Sequence, residues 1–369
     1  KITFNFHILK VFLCCEDTSY ILVKICDLLI KRVEIDEKYM SKCILLARNN
    51  KSKYYPNPSV GCLIVKNNHV ISEGVTSNYG GNHAEVNTIN NVKNKQDLKG
   101  STLYVTLEPC SHYGKTPPCV ELISKYEISH VVIGTIDISS KVNGNGIKFL
   151  KNKDIKVTVG VLEKECKNLH RNFLHFNSHK RPYIILKWAQ TLDNFIAPSN
   201  KSDSKPFWIS SIKSRKLVHK WRSEEHAILI GYNTALSDNP SLTVRHVKGN
   251  NPIRIILDDK NSLDKDLNVF NGESETLVIE NFLNENNLGN YICEFLHKNK
   301  IQSIIIEGGK KTLDLFIKNN IWDEARIFTN DIKLINGVPS PKIEGAIKSK
   351  YKIGEDELKI IYPKRFYLK

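Results

Sequence analysis

Residues 101–119 run STLYVTLEPCSHYGKTPPC and contain a predicted strand followed by two cysteines, Cys110 and Cys119. The β-branched and aromatic residues of Ser101–Leu107 favour a buried strand. Upstream, His83 begins the triplet HAE, from which a helix is predicted over His83–Asn91. One His and two Cys in this order suit a zinc ion with three protein ligands and an open fourth position, which is typical of a catalytic site.

Glu85 lies two residues after His83, close enough to act as a proton shuttle without being a ligand. Zinc lowers the pKa of a bound water to about 7, and hydrolytic deamination needs such a nucleophile together with a proton for the departing ammonia. The pattern H-x-E followed by P-C-x-x-C is the zinc deaminase signature, although eight residues separate Cys110 from Cys119 here. His112 is a competing ligand by residue type, and we interpret it as a loop residue.

Alternating strand and helix patterns surround this site and predict a layered α/β domain over residues 34–178. Its first helix is predicted over Asp36–Arg48, with Asp36 as the cap. The polar stretch Asn177–Pro182 predicts a domain joint, and a second α/β domain is predicted over residues 179–369. Residues 1–33 are predicted to form an extension of unknown role.

The 369 residues are too many for one ordinary core, which agrees with two domains. There are 54 basic and 39 acidic side chains, a net charge of +15 that reflects either lysine-rich composition or anionic partners. Nine scattered cysteines favour a reducing compartment, and we expect a cytoplasmic protein. No uncharged apolar run approaches the roughly 20 residues of a membrane span, so no membrane association is expected.

Three segments carry a resemblance to a known family: Tyr55–Cys62 (YPNPSVGC), His83–Val86 (HAEV) and Thr106–Cys119. They resemble the bifunctional deaminase/reductase family of riboflavin biosynthesis, from about Glu34 to the end of the chain. The resemblance implies an N-terminal cytidine-deaminase-like three-layer α/β/α domain and a C-terminal dihydrofolate-reductase-like α/β domain.

In the deaminase half, the resemblance implies that His83, Cys110 and Cys119 bind Zn²⁺ and that Glu85 is catalytic. It further implies substrate contacts from Asn57 and Lys115. Two positions depart from the family pattern: Thr76 replaces the usual His, and Asp137-Ile138-Ser139-Ser140 replaces the usual Asp-Pro-Asn-Pro. Both departures lie on the substrate side rather than among the metal ligands.

The reductase half carries its own motifs at Arg181–Asp193, His226–Gly231, Asp238–Arg245 and Ile304–Leu313. Gly308-Gly309 follows a predicted strand and precedes a helix, so backbone amides there can meet a pyrophosphate. Arg245 offers a bidentate fork for a substrate phosphate, with Arg222 as a second cation. By resemblance the NADPH site consists of Ala189, Trp208, Thr234, Asp238, Gly309, Lys310, Lys311, Thr312 and Leu313. By resemblance the substrate site consists of Arg222, Leu242, Arg245 and Glu307.

The predicted function is therefore two consecutive steps on a phosphorylated pyrimidine: zinc-dependent hydrolysis of a C–N bond, then NADPH-dependent reduction of the ribosyl side chain. No nucleic-acid partner is expected, and a homo-oligomer is one expectation because family members are commonly oligomeric. Two alternatives remain: a nucleotide or tRNA deaminase, and a binding protein with a decayed deaminase half.

Overall fold

A computed structural model of the chain describes residues 16–50, 54–114, 116–139, 142–199, 207–283, 285 and 287–364, with side chains at residue 27 and from residue 30 onward. These residues form two units: one contains the described residues of 1–52 and 59–170, the other those of 53–58 and 171–369. The division falls between His170 and Arg171, on the N-terminal side of the predicted boundary at 178/179. Within this part of the chain, no helix combines the length and apolar character needed to cross a membrane.

The first unit is built on a five-stranded sheet in the order β2-β1-β3-β4-β5. Its strands are β1 Gly61–Lys66, β2 His69–Val75, β3 Thr102–Leu107, β4 His130–Thr135 and β5 Lys156–Val159. Strand β1 is antiparallel to β2 and β3, whereas β3, β4 and β5 are parallel. Asn67 and Asn68 form the turn between β1 and β2, and both residues have the left-handed φ that a tight hairpin turn requires.

Helices cover the sheet of the first unit: α1 Glu16–Arg48, α2 Ala84–Asn91, α3 Cys119–Lys125, α4 Asn145–Asn152 and α5 Glu163–Leu169. The predicted helix start at Asp36 is wrong, because α1 begins at Glu16 and continues through this position. Asp36 is a buried residue in the helix, and its carboxylate accepts a hydrogen bond from the Tyr104 hydroxyl at 2.7 Å. The predicted boundary at 33/34 therefore falls inside a helix.

The second unit contains an eight-stranded sheet in the order β10-β9-β8-β11-β6-β12-β15-β14. Its strands are β6 Tyr183–Thr191, β8 Ala227–Gly231, β9 Ile253–Leu257, β10 Thr276–Ile279, β11 Ser303–Ile306, β12 Glu324–Asn330, β14 Ala346–Ile353 and β15 Asp356–Tyr362. The strands from β10 to β12 are parallel, and β15 and β14 add an antiparallel edge. A separate pair joins β7 Phe195–Pro198 to β13 Gly337–Pro339.

Helices of the second unit pack against this sheet: α6 Arg171–His179, α7 Ile212–Glu224, α8 Tyr232–Asp238, α9 Leu288–Lys298 and α10 Lys310–Lys318. Successive residues of β6 belong to different core clusters, since Ile184 lies in one cluster and Ile185 in the other. Side chains alternate between the faces of a strand, so both faces of the sheet are covered. The carboxyl ends of the buried parallel strands are therefore the edge at which polar residues become available for chemistry.

Candidate active sites

The three predicted zinc ligands meet at the ends of three elements of the first unit. His83 immediately precedes α2, Cys110 lies in the segment after β3, and Cys119 is the first residue of α3. His83 Nδ1 lies 3.5 Å from Cys110 Sγ and 3.4 Å from Cys119 Sγ, and the potential ligand atoms all lie within 4.8 Å of one another. Two thiols and one imidazole fit zinc by donor type, and three protein donors leave a coordination position open. His112 is not a member of this cluster.

Electrostatics within the cluster favour a thiolate at one cysteine. The hydrogen bond from Cys119 and the contact with His83 lower the pKa of Cys110 to about 4. Its hydrogen bond to Cys110 raises the pKa of His83 to about 9, although burial opposes this shift. The backbone N–H of Cys119 donates to Cys110 Sγ at 3.3 Å. The protein thus stabilises negative charge at the position where a metal ion would be bound.

Glu85 lies in the first turn of α2 and is only 4% exposed. Burial raises the pKa of its carboxyl group to about 6, while the neighbouring His83 opposes the increase. A carboxyl group with a pKa close to neutrality can both accept and return a proton near neutral pH. The role of Glu85 as a proton shuttle stays a prediction.

Glu108 is a buried residue near the cluster that the sequence-based analysis did not single out. Its buried carboxylate accepts hydrogen bonds from the backbone N–H groups of Asp137 at 3.3 Å, Gly144 at 3.1 Å and Ile147 at 3.2 Å. Gly146 packs so closely here that a Cβ at this position would lie 2.3 Å from the Pro109 carbonyl oxygen. Glu108 therefore fixes the backbone at Asp137, Gly144 and Ile147 beside the chain that carries Cys110. Its place in the sequence Glu-Pro-Cys was the available signal.

The two departures on the substrate side have structural roles in this chain. Thr76 is buried, and its hydroxyl accepts a hydrogen bond from Val60 N at 3.0 Å. The Ser139 N–H donates to Asp137 Oδ1 at 2.8 Å, which closes a local turn. Asn57 lies in the segment 54–58, which is grouped with the second unit, so its role at the deaminase site stays a prediction. Lys115 lies outside the described residues.

In the second unit, Glu307 follows β11 and binds two cations. Its carboxylate accepts from Arg222 Nε at 3.2 Å and from Arg222 Nη2 at 2.9 Å, while Lys187 Nζ lies 3.7 Å from Oε2. Burial alone would raise the pKa of Glu307, but Arg222 and Lys187 outweigh it and lower the pKa to about 2. We call Lys187, Arg222 and Glu307 the ion cluster. Burial lowers the pKa of Lys187, although Glu307 opposes this shift. Lys187 is a member of the cluster that sequence analysis missed.

The predicted NADPH site centres on Gly308 and Gly309, between β11 and α10. The Gly309 N–H donates to Thr234 Oγ1 at 2.9 Å, which joins α8 to the start of α10. A Cβ at Gly231 would lie 2.6 Å from Thr312 Oγ1, so this glycine allows close approach of the two elements. The nine-residue helix α10 begins directly after Gly308 and Gly309, which follow the buried strand β11. The N-terminus of a helix favours an anionic group, and binding of NADPH at this place stays a prediction.

The other predicted reductase residues have different environments. Trp208 is 52% exposed, and the Arg215 guanidinium lies 4.5 Å from its ring centroid. Lys310 forms an ion pair with Asp314, whereas Lys311 is exposed. The side chains of Leu242 and Leu313 are buried in the core. Ala189 packs against the core, Asp238 is the last residue of α8, and Arg245 is exposed. The roles of all these residues stay predictions.

Comparison with known families agrees with this division of chemistry. Residues 33–135 match the cytidine and deoxycytidylate deaminase zinc-binding region, and residues 182–334 match the RibD C-terminal domain. The two matches and the two sites define a class of protein: an enzyme that joins a zinc-binding deaminase domain to a reductase domain. They confirm the predicted combination of a cytidine-deaminase-like domain with a dihydrofolate-reductase-like domain.

Similar full-length proteins identify the family. Riboflavin biosynthesis protein RibD of Aquifex aeolicus is 39% identical over 80% of this chain and 86% of the relative. RibD of Bacillus amyloliquefaciens is 36% identical over 84% and 88%. The crystal structure of a diaminohydroxyphosphoribosylaminopyrimidine deaminase/5-amino-6-(5-phosphoribosylamino)uracil reductase from Thermotoga maritima has a TM-score of 0.82 and 35% identity, covering 90% of this chain and 99% of that one. The chain belongs to the RibD family of riboflavin biosynthesis proteins, in agreement with the predicted bifunctional deaminase/reductase.

Proposed function

We propose that this chain deaminates 2,5-diamino-6-ribosylamino-4(3H)-pyrimidinone 5′-phosphate and then reduces the ribosyl group with NADPH to give 5-amino-6-(5-phospho-D-ribitylamino)uracil. The observation that carries the proposal is the convergence of His83 Nδ1 with the sulfurs of Cys110 and Cys119 beside the buried Glu85. The ion cluster in the second unit supports the reductive step. The substrate named in the Thermotoga maritima structure supports the choice of pyrimidine.

In the deamination step, a water molecule adds to the amino-bearing ring carbon, the C–N bond breaks and ammonia leaves. A zinc ion held by His83, Cys110 and Cys119 would supply Lewis-acid activation of the attacking water. Glu85 would take a proton as the water attacks and return it to the departing amine, a role that its raised pKa suits. Glu108 would hold the backbone at Asp137, Gly144 and Ile147 in place at the site.

In the reductive step, NADPH would supply a hydride to C1 of the ribosyl group, and the opened ring oxygen takes a proton. Positioning of the two molecules is the main contribution of the protein. The start of α10 and Thr234 would hold the cofactor, while Arg245 would bind the substrate phosphate. Glu307 is kept ionised by Arg222, so it can accept hydrogen bonds from ribosyl hydroxyl groups.

The alternatives explain less of the chain. A nucleotide or tRNA deaminase would have no use for the ion cluster and the Gly308-Gly309 segment of the second unit. A binding protein with a decayed deaminase half would not be expected to retain all three potential ligands and a buried Glu85.

The variant Glu85→Gln tests the proposed division of labour. We expect the variant to retain zinc and the NADPH-dependent step on the deaminated substrate, and to lose ammonia release by at least about a hundred-fold, because general acid–base catalysis contributes about 10²–10⁴. Bound zinc is measured by metal analysis of the purified protein. Loss of zinc from the variant would show that Glu85 is a ligand, and undiminished ammonia release would exclude it as the proton shuttle.

A further inference from the structure

Arg245 is the last residue of the segment Leu242–Arg245. The backbone groups of this segment form hydrogen bonds with side chains rather than with neighbouring strands. Arg222 Nη1 donates to the Thr243 carbonyl oxygen at 3.4 Å, and the Val244 N–H donates to Asn251 Oδ1 at 2.9 Å. The Arg245 N–H donates to His219 Nδ1 at 3.3 Å. Leu242 adopts a left-handed φ of 55° with its side chain buried, which turns the chain at the start of the segment. The direction of Arg245 is therefore set by a small number of side-chain contacts.

His219 lies on α7, one turn before Arg222 of the ion cluster. Residues three apart share one face of a helix, so both side chains reach the same segment. The His219 ring is only 4% exposed and meets the His246 ring edge-on, with centroids 4.7 Å apart. One helix face thus contacts the backbone on both sides of Val244.

The contact with Arg245 requires an uncharged imidazole. Nδ1 can accept the Arg245 N–H only when it carries no proton, so the ring proton must be on Nε2. Burial and the neighbouring guanidinium groups of Arg222 and Arg245 lower the pKa of His219 to about 4, although a backbone contact with Thr243 opposes the shift. At neutral pH the ring is therefore an acceptor, although its neighbours are basic.

We propose that His219 is a positioning residue of the reductase, and that its neutral Nδ1 fixes the backbone of Arg245 so that the guanidinium meets the phosphate of the substrate. The proposal rests on the proposed function, because it assigns a phosphate to Arg245. It predicts that His219 affects the phosphate-binding step and has little influence on hydride transfer.

Two near-isosteric substitutions separate the roles of the ring nitrogens. In His219→Asn, the side-chain oxygen can occupy the region of Nδ1, whereas in His219→Gln the polar atoms reach the region of Nε2. We expect His219→Gln to raise KM for the deaminated phosphorylated substrate about ten-fold, equivalent to about 1.4 kcal/mol. His219→Asn should remain within about three-fold of the wild type. NADPH oxidation gives both parameters, and kcat and KM for NADPH should change less than two-fold in either variant.

A dephosphorylated substrate provides a readout that a general loss of structure would not reproduce. On this ribosylaminouracil, His219→Gln and the wild type should have equal KM. In an Arg245→Gln background, His219→Gln should raise KM for the phosphorylated substrate less than two-fold, because the two residues act through one contact.

Equal KM values for His219→Asn and His219→Gln would overturn the inference. So would a full ten-fold effect of His219→Gln on the dephosphorylated substrate or in the Arg245→Gln background. A wild-type protein that fails to oxidise NADPH on the deaminated phosphate would instead refute the proposed function. The two failures are therefore distinguishable.

Discussion

Replacing Glu307 with Gln tests the ion cluster that organises the reductase half. The substitution keeps the size of the side chain and removes the negative charge that Arg222 and Lys187 share. Glu307 Oε2 lies 2.9 Å from Arg222 Nη2 and 3.7 Å from Lys187 Nζ, and its side chain is 10% exposed. At an effective dielectric constant of about 20, the two pairs attract by about 4 to 6 kcal/mol each before desolvation is subtracted.

The net cost is smaller because burial of the charges opposes this attraction. Removing one partner of a buried ion pair typically costs about 3 to 5 kcal/mol, since the remaining charge is left uncompensated. In this cluster two cations would remain, so we expect Glu307→Gln to lower the free energy of unfolding of the reductase unit by that amount. For a unit of this size, the corresponding decrease in Tm is roughly 10 °C.

Calorimetry and urea unfolding of the full chain measure this loss. The matched control is Glu357→Gln, which breaks an exposed pair with Lys359 at 3.0 Å and should change stability by less than about 0.5 kcal/mol. Because the pKa of Glu307 is lowered, its stabilising effect should be complete above pH 4.5 and should disappear as the pH falls toward 2. A loss below about 1 kcal/mol, or one equal to that of the control, would refute this account of the cluster.

Two further predictions concern the deaminase half. Glu108→Gln should speed hydrogen exchange at the Gly144 and Ile147 amides and lower the free energy of unfolding by about 1 to 3 kcal/mol, because a side-chain amide cannot accept all three backbone N–H groups. Unchanged exchange would contradict the proposed role of Glu108 in fixing these amides. His170 is buried beside Thr106, and burial lowers its pKa to about 3. As the pH falls below 6.5, His170 therefore binds a proton in the unfolded chain but not in the folded chain. Between pH 6 and 4, the wild type should therefore lose about 1.4 kcal/mol of unfolding free energy per pH unit relative to His170→Gln, as measured by urea unfolding. A difference that does not depend on pH would contradict burial of a neutral ring.

Local patterns were sufficient to predict the strand before Cys110 and to select three residues that the structure groups together. The strand predicted over Ser101–Leu107 is a short run of β-branched and apolar residues, and the structure forms it over Thr102–Leu107. His83, Cys110 and Cys119 were predicted by residue type and order, because few combinations of side chains suit a catalytic zinc ion. The structure then brought together three residues that are distant in sequence.

Features that depend on distant partners could not be predicted in this way. Asp36 resembles a helix cap locally, but its partner is the Tyr104 hydroxyl on a strand, and the helix passes through this position. In the edge strand Ala346–Ile353, the lysines at 348, 350 and 352 alternate with Ile347, Tyr351 and Ile353, a pattern that the sequence analysis did not single out. The strand is formed by its hydrogen bonds with β15.

The roles of several site residues also depend on partners that are distant in the sequence. Lys187 lies within a recognisable motif, but its role depends on Glu307, which is 120 positions later in the chain. Glu108 acts through three backbone amides that sequence patterns do not report. His219 was not singled out from the sequence, and the structure shows that His219 and Arg222 of α7 contact the segment that carries Arg245.

The most direct test of the proposed bifunctional enzyme measures ammonia release and NADPH oxidation by the zinc-loaded wild-type chain. The diamino ribosylamino-pyrimidinone phosphate is supplied with and without NADPH, and ammonia release and NADPH oxidation are recorded separately. We predict one equivalent of ammonia in both reactions, and one equivalent of oxidised NADPH that appears only after ammonia. A folded, zinc-loaded protein that releases no ammonia without NADPH, or that oxidises NADPH before ammonia appears, would contradict the account.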